Sequence, residues 1–173
     1  MKILLPFHVL ATLRGELAAA RRREIGGVLV GEHVEHETFR VADISVQRSG
    51  GSNVHFVRDP AQHRDFLDKF FEGSGRDYQR FNYLGEWHSH PTMLALPSLT
   101  DCHTMANLVA DPAVGANFAV LMIARLRPWL GLQLSATAFR AGTPPDAAQL
   151  EGEVGDGQSV RFRQLQRRPI RWV

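Results

Sequence analysis

The chain has 173 residues, 44% of them hydrophobic and 22% charged, with a formal net charge of +2. That is the size and composition of one soluble globular domain covering residues 1–173, and so small a charge argues against a nucleic-acid partner. No apolar run reaches the length of a membrane span, the N-terminus has no cleavable signal pattern, and Cys102 is the only cysteine; these features argue against a membrane partner, an internal disulfide and a thiolate-rich metal cluster, and favour a cytoplasmic location.

Pro6 to about Ala20 reads as a helix, with Phe7, Leu10, Leu13 and Leu17 at helical spacing, a proline suited to a first turn, and Arg21, Arg22 and Arg23 at the end that favours cations. Glu24 to Gly31 is an apolar strand opened by a carboxylate. His33 and His36 fall in a charged turn, and Thr38 to Gln47 alternates as a second strand with a break near Ala42 and Asp43. Glu16, Glu32 and Glu35 read as exposed. Ser49 to Asn53 is a turn, Val54 to Val57 a short strand, and Asp59-Pro60 opens a helix to about Phe71 whose core side carries Phe66, Phe70 and either Leu67 or Phe71. Gly73-Ser74-Gly75 breaks that helix.

Phe81 to His90 is the next strand, with Trp87 facing away from its histidines and packing under a helix. Ser98 reads as the N-cap of a helix to about Ala110, with Leu99, Met105, Leu108 and Val109 as its apolar side, and Asp111-Pro112 stops it. Asn117 to Arg125 and Trp129 to Phe139 read as two strands, Ala141 to Gln158 has loop composition, and Ser159 to Gln166 is a last strand. The chain ends in an arginine cluster, Arg161, Arg163, Arg167, Arg168 and Arg171, either a surface face or a contact for an acidic partner. This order of elements predicts the α/β class, an α+β mixed sheet with flanking helices.

The chemistry concentrates between Gly85 and Asp101. On an extended strand, residues i and i+2 point the same way, so His88 and His90 offer two imidazoles to one ion while Ser89 faces the other side. Pro91 ends the strand, and Asp101 sits in the first turn of the helix that Ser98 caps. Each half is ambiguous alone: a His-x-His pair recurs by chance, and Ser-x-x-Asp before an apolar run is a capping box that needs no metal. Together they supply three protein ligands and leave a position for water, the arrangement of a catalytic zinc site. Cys102 follows Asp101 and reads as a buried helix cysteine.

The run His88-Ser89-His90-Pro91, six further residues and Ser98-Leu99-Thr100-Asp101 resembles the signature of the JAMM (MPN-plus) metalloproteases, including the prokaryotic JAB proteins. That family's signature is preceded by a distant glutamate opening a glycine-containing strand, and Glu24-Ile25-Gly26-Gly27-Val28-Leu29-Val30-Gly31 is similar to it. The resemblance implies an MPN/JAB domain, a curved mixed sheet of cytidine-deaminase-like shape. It implies one zinc per chain with a catalytic water, held by His88, His90 and Asp101, with Glu24 as general base and acid and Ser98 as oxyanion donor.

The implied substrate is the amide after the C-terminus of a ubiquitin-like protein or its conjugates. The Gly85-Glu86-Trp87-His88 strand resembles that of bacterial JAB peptidases encoded beside ubiquitin-activating and ubiquitin-conjugating enzyme homologues in antiphage defence systems. Two other readings stay open: a JAB peptidase that processes a sulfur-carrier protein, and a non-catalytic MPN scaffold. A deaminase needs a Pro-Cys-x-x-Cys element, which one cysteine cannot supply. A scissile amide reaches such a site as an extended tail paired to a sheet edge or flap, with walls from the loop Thr92 to Pro97 and from loops flanking the helix within Ser49 to Tyr83.

Overall fold

The structure is a computed structural model that describes residues 1–50, 58–153 and 162–166. Its elements in chain order are β1 (Lys2–Leu5), α1 (Phe7–Ala20), β2 (Gly26–Glu35), β3 (Thr38–Ile44), a 3-10 turn (Pro60–His63) leading into α2 (Arg64–Gly73), β4 (Phe81–Ser89), α3 (Leu99–Ala110), β5 (Ala119–Arg127), β6 (Gly131–Phe139), β7 (Asp146–Gly152) and β8 (Phe162–Gln164). The 8-stranded sheet runs β5-β4-β2-β3-β1-β7-β6-β8, and a further pairing of β5 with β6 closes it on itself. The mixed α/β class expected from the sequence is the class observed, with parallel pairs at β1–β3, β1–β7, β4–β5 and β6–β8.

Two clusters divide the core. Val9, Leu10, Leu13 and Leu17 of α1 pack into the larger one with inward residues of the curved sheet, Trp87, Val120 and Met122 among them. On the other face of β5, Ala119, Leu121 and Ile123 meet Cys102, Met105 and Val109 of α3. β5 is therefore covered on both sides, which is why it reads as a nearly unbroken apolar run.

The strand pairing has one irregularity that matters for the cleft. β2 pairs antiparallel with β4 through Leu29↔Gly85 and then Val30↔Tyr83, so Leu84 is an extra residue, a β-bulge. The bulge lets Leu84 and Trp87 both enter the core, while Glu86 and His88 turn outward to the cleft. Gly85 makes it possible: its φ is 147°, and a Cβ there would lie 1.9 Å from the carbonyl oxygen of Val120 on β5. A second bulge, between β2 and β3, skips Ala42 and accounts for the break in alternation there.

Several expectations need correction. Lys2–Leu5 and Asp146–Gly152 are strands that the sequence reading left out. Both are short, and the second lies in a segment of loop composition, yet Ile3 and Leu5 of one and Ala148 and Leu150 of the other alternate into the core. β2 runs on to Glu35, so His33 lies in a strand, stacked on Phe39 at 5.1 Å, and only His36 is in the turn. Glu32 is half-buried between Arg40 and Arg80 instead of exposed. Leu99 is 59% exposed, and Cys102 takes the core position expected of it. The side chains of α2 are at most half-buried, so Phe66 and Phe70 rest on the molecule without entering a core cluster. The expected strand Val54 to Val57 lies outside the described residues, as do Arg161, Arg167, Arg168 and Arg171 of the arginine cluster.

His63, 1% exposed, ties the 3-10 turn to the sheet. Val28 N–H donates to Ser45 Oγ at 2.9 Å, the Ser45 hydroxyl lies 2.7 Å from His63 Nδ1, and His63 Nε2 lies 3.2 Å from Gln47 Oε1. The network assigns the proton to Nε2, leaving Nδ1 to accept from Ser45. Burial pushes the imidazole's pKa down, and the Arg58 charge adds to the shift against the opposing Asp59.

Gly85→Ala should destabilise the fold by about 3 kcal/mol or more, lowering the melting temperature by roughly 6–12 °C, because the clash is with backbone. Gly15→Ala, where an added Cβ meets nothing within 4 Å on α1, should instead stabilise by about 0.5–1 kcal/mol. For His63, the unfolded chain takes up a proton near its ordinary pKa of about 6.5 while the folded chain resists it, so this contribution to stability is present above that pH and is lost below it. Denaturant unfolding of His63→Gln should show a shallower fall in stability between about pH 6.5 and 5 than the parent chain.

Candidate active site

The cleft is built where the end of β4 meets the start of α3. It encloses about 470 Å³ and is lined by Glu24, His88, His90, Ser98 and Asp101, with Arg58 and Glu86 on its wall. All five residues singled out from the sequence thus face one cavity.

β4 hands over to the loop at His90, whose backbone N–H donates to Ala124 O at 2.9 Å on β5. His90 is 3% exposed, and its Nδ1 lies 3.0 Å from Leu94 O. That carbonyl can only accept, so Nδ1 carries the proton and Nε2 presents a lone pair to the cleft. Burial is the main cause holding the His90 pKa below the usual imidazole value, which keeps the ring neutral. Nε2 of His88 lies 3.1 Å from Nε2 of His90.

The third corner comes from the helix start. Ser98 Oγ accepts from Asp101 N–H at 3.1 Å and Asp101 Oδ2 accepts from Ser98 N–H at 2.6 Å, a reciprocal capping box. Burial pushes the Asp101 carboxyl up, but hydrogen bonding and charge from His88, with the Ser98 donors, outweigh it and hold the group well below the usual carboxylate range. Asp101 is therefore ionised at neutral pH. Its oxygens lie 3.5 Å from His88 Nε2 and 3.7 Å from His90 Nε2.

This donor set fits a tetrahedral metal ion. One ligand atom from each of His88, His90 and Asp101 lies within 4.8 Å of the others. Ligands at about 2.0–2.1 Å in a tetrahedron stand about 3.3–3.4 Å apart; the His88–His90 edge is 3.1 Å, and Asp101 approaches the two imidazoles with different oxygens, Oδ1 3.5 Å from His88 and Oδ2 3.7 Å from His90. Two neutral nitrogens and one carboxylate are the ligand chemistry that zinc takes.

Glu24 lies between α1 and β2 and is 3% exposed. Its neighbour Ile25 is held at both ends by Ser89: Ile25 N–H donates to Ser89 Oγ at 3.0 Å, and Ser89 N–H donates to Ile25 O at 2.8 Å. The serine between the two histidines thus fixes the segment that carries the glutamate. Its facing was legible in the strand alternation; its partner, 64 residues back, was not. Sequence reasoning also missed the Arg58 Nε to Glu86 Oε1 ion pair at 2.5 Å, although Glu86 shares the facing of His88. Cys102 points away into the α3 core cluster and is no ligand.

Of the expected walls, the loop after Pro91 supplies Met93, and Arg58 comes from the region before α2; α3 supplies Thr100, Thr104 and Leu108, which had not been expected. Both edges of β4 are occupied, by β2 and by β5, so an incoming tail cannot pair with the ligand strand itself.

Comparison with known proteins bears on the family and the fold. Residues 6–137 match the family described as prokaryotic homologs of the JAB domain. A Vibrio cholerae protein named CD-NTase/cGAS isopeptidase is 34% identical over 111 residues, covering 62% of this chain and 66% of the relative, just under two thirds of its length. The solution structure of a Desulfitobacterium hafniense protein superposes with a TM-score of 0.65 at 19% identity, covering 87% of this chain and 92% of that one, a likeness of fold. With the family match running from the first helix through the ligand strand and the capped helix to β6, the chain belongs to the prokaryotic JAB family.

Proposed function

We propose that the protein is a zinc-dependent isopeptidase that cleaves the amide bond after the C-terminus of a ubiquitin-like protein, for precursor processing or deconjugation in a bacterial conjugation and defence system. The observation that carries the reading is the triangle of His88, His90 and Asp101 in one cleft with Glu24 and Ser98. The name of the Vibrio cholerae relative, CD-NTase/cGAS isopeptidase, supports an isopeptide substrate over a sulfur-carrier precursor. Five chemically suited residues facing one cavity weigh against a non-catalytic scaffold.

His88, His90 and Asp101 would hold the zinc, which would supply Lewis acidity and lower the pKa of water at the site. The protein's own groups do the rest. Glu24, buried at the cleft, accepts the proton of the attacking water and returns it to the leaving amine. Ser98 Oγ already accepts from Asp101 N–H, so its own proton is available to donate to the oxygen that gains charge on the scissile carbonyl. Ser89, through Ile25, keeps Glu24 from drifting, and the Leu94 carbonyl keeps His90 in its ligating tautomer.

One mutational series separates these roles. Elemental analysis should find one zinc per chain in the parent protein and in Glu24→Gln, which should lose turnover by roughly 100- to 10,000-fold. His88→Ala should lose zinc and turnover together, Ser98→Ala should keep zinc and lose about 100- to 1,000-fold, and Ser89→Ala should keep zinc and lose roughly tenfold or more by misplacing Glu24. A fully active Glu24→Gln protein, or a parent chain that takes up no zinc, ends the proposal. For the substrate, mass spectrometry of ubiquitin-like fusions and lysine conjugates should show cleavage directly after a C-terminal glycine and none when that glycine is replaced by a bulky residue. Equal cleavage of unrelated unfolded peptides contradicts it.

A further inference from the structure

On the far side of the turn that follows His90 lies a second groove, of about 920 Å³, lined by Arg14 of α1, Arg21 and Arg22 just after it, Arg125 and Arg127 of β5, and the β5–β6 hairpin tip at Trp129. No acidic residue lines it among the described residues. Among the described residues none of these five arginines pairs with a carboxylate, whereas Arg40, Arg48, Arg58, Arg80 and Arg140 all do. The crowding is felt within the groove: burial, with the Arg127 charge, pushes the Arg125 pKa down.

Arg125 is only 7% exposed, and among the described residues its Nε has no hydrogen-bond partner. A guanidinium is costly to bury without a counter-charge. Its Nη2 donates to Thr92 O over a long 3.4 Å. Beside it the hairpin tip breaks two rules at once. Trp129 has φ of 69°, a conformation disfavoured for a bulky side chain, and it is fully exposed, with Leu130 next to it 56% exposed. Glycine or asparagine would serve such a turn without strain. Tryptophan and arginine are, with tyrosine, the residue types enriched among the anchors of protein interfaces.

We infer that this arginine-lined groove and its Trp129 tip form a docking surface for an acidic segment of the protein substrate, distinct from the cleft that takes the scissile amide. The inference rests on the proposed peptidase reading for the identity of the occupant. Cleft and groove meet at one turn: His90 faces the first, Pro91 and Thr92 line the second, and Arg125 follows the residue whose carbonyl holds the His90 backbone. A protein whose tail enters the cleft therefore has its adjoining surface over the groove. The chain's own segments outside the described residues do not match it in charge. Residues 167–173 carry Arg167, Arg168 and Arg171, residues 51–57 carry no acid, and residues 154–161 carry Asp156 against Arg161. A nucleic acid suits the groove less well than an acidic protein, because the neighbouring cleft is built for an amide.

The binding test needs no turnover. Fluorescence anisotropy with a labelled peptide of alternating glutamate and leucine measures affinity for the full chain. The double charge reversal Arg22→Glu/Arg127→Glu should weaken binding by about tenfold or more, and Trp129→Ala by about threefold or more, while Arg64→Glu on α2 stays within about twofold. All these side chains but Arg64 line the groove and none enters a core cluster, so unchanged melting curves confirm that the variants fold. If the groove variants bind like the parent chain, or Arg64→Glu weakens binding as much as they do, the inference is overturned. A single-stranded DNA oligomer that binds more tightly than the peptide and is lost in the same variants also overturns it, by changing the partner's class. With an active conjugate in hand, the groove variants should raise KM at unchanged kcat and leave a minimal tail substrate unaffected. An unchanged KM again overturns it, whereas a parent chain that cleaves nothing refutes the peptidase reading and leaves the binding result to stand or fall alone.

Discussion

The alternation of side chains along β4 is the constraint on which the cleft depends. A regular strand would send Leu84 and Trp87 to opposite faces, and one of them would displace a cleft residue. The extra residue at Leu84 resolves the conflict, and Gly85 allows it because β5 approaches too closely there for any side chain. With that one irregularity, Trp87 fills the core and donates its indole N–H to Ser45 O at 2.9 Å, while Glu86 and His88 stand in the cleft. The register of β2 against β4 then brings Gly26 opposite His88 and sets Glu24 beside the histidines.

The site uses elements that the fold requires in any case. The capping box that starts α3 also fixes and ionises Asp101, so a helix-initiating interaction and a ligand position are one structure. The Ser89 to Ile25 bonds extend the β2–β4 ladder by one residue and fix the glutamate's backbone in doing so. Preorganisation here comes from backbone and caps, with little recourse to long, flexible side chains.

Much of this was legible in the sequence, for identifiable reasons. α1, α3, β4, β5 and β6 carry long apolar periodicities, and Glu24, His88, His90, Ser98 and Asp101 sit at spacings that one strand, one loop and one helix start can bring together. What escaped reading was non-local. β1 and β7 are too short and too ordinary in composition to announce themselves, and each is a strand because the other is beside it, Ile3 against Leu150. The extent of β2 past Gly31 depends on pairing with Arg40, Phe39 and Phe81 across two neighbours. Leu99 reads as core from its place on the helix, but its side chain lies on the face that α3 turns to solvent.

The closed ring also has a history. β1 is the first of these strands in chain order, yet it lies between β3 and β7, with Lys2 opposite both Thr38 and Gln149. Ring closure therefore waits for nearly the whole described chain to be synthesised, and a nascent chain that stops short of Asp146 leaves β1 with an open edge. The parallel pairs that complete the ring join residues far apart in sequence, a topology that folds slowly because loop-closure entropy is lost before the contacts form. During that interval the apolar residues of α1, destined for the ring's interior, lack their core and are open to a chaperone or to another copy of the chain.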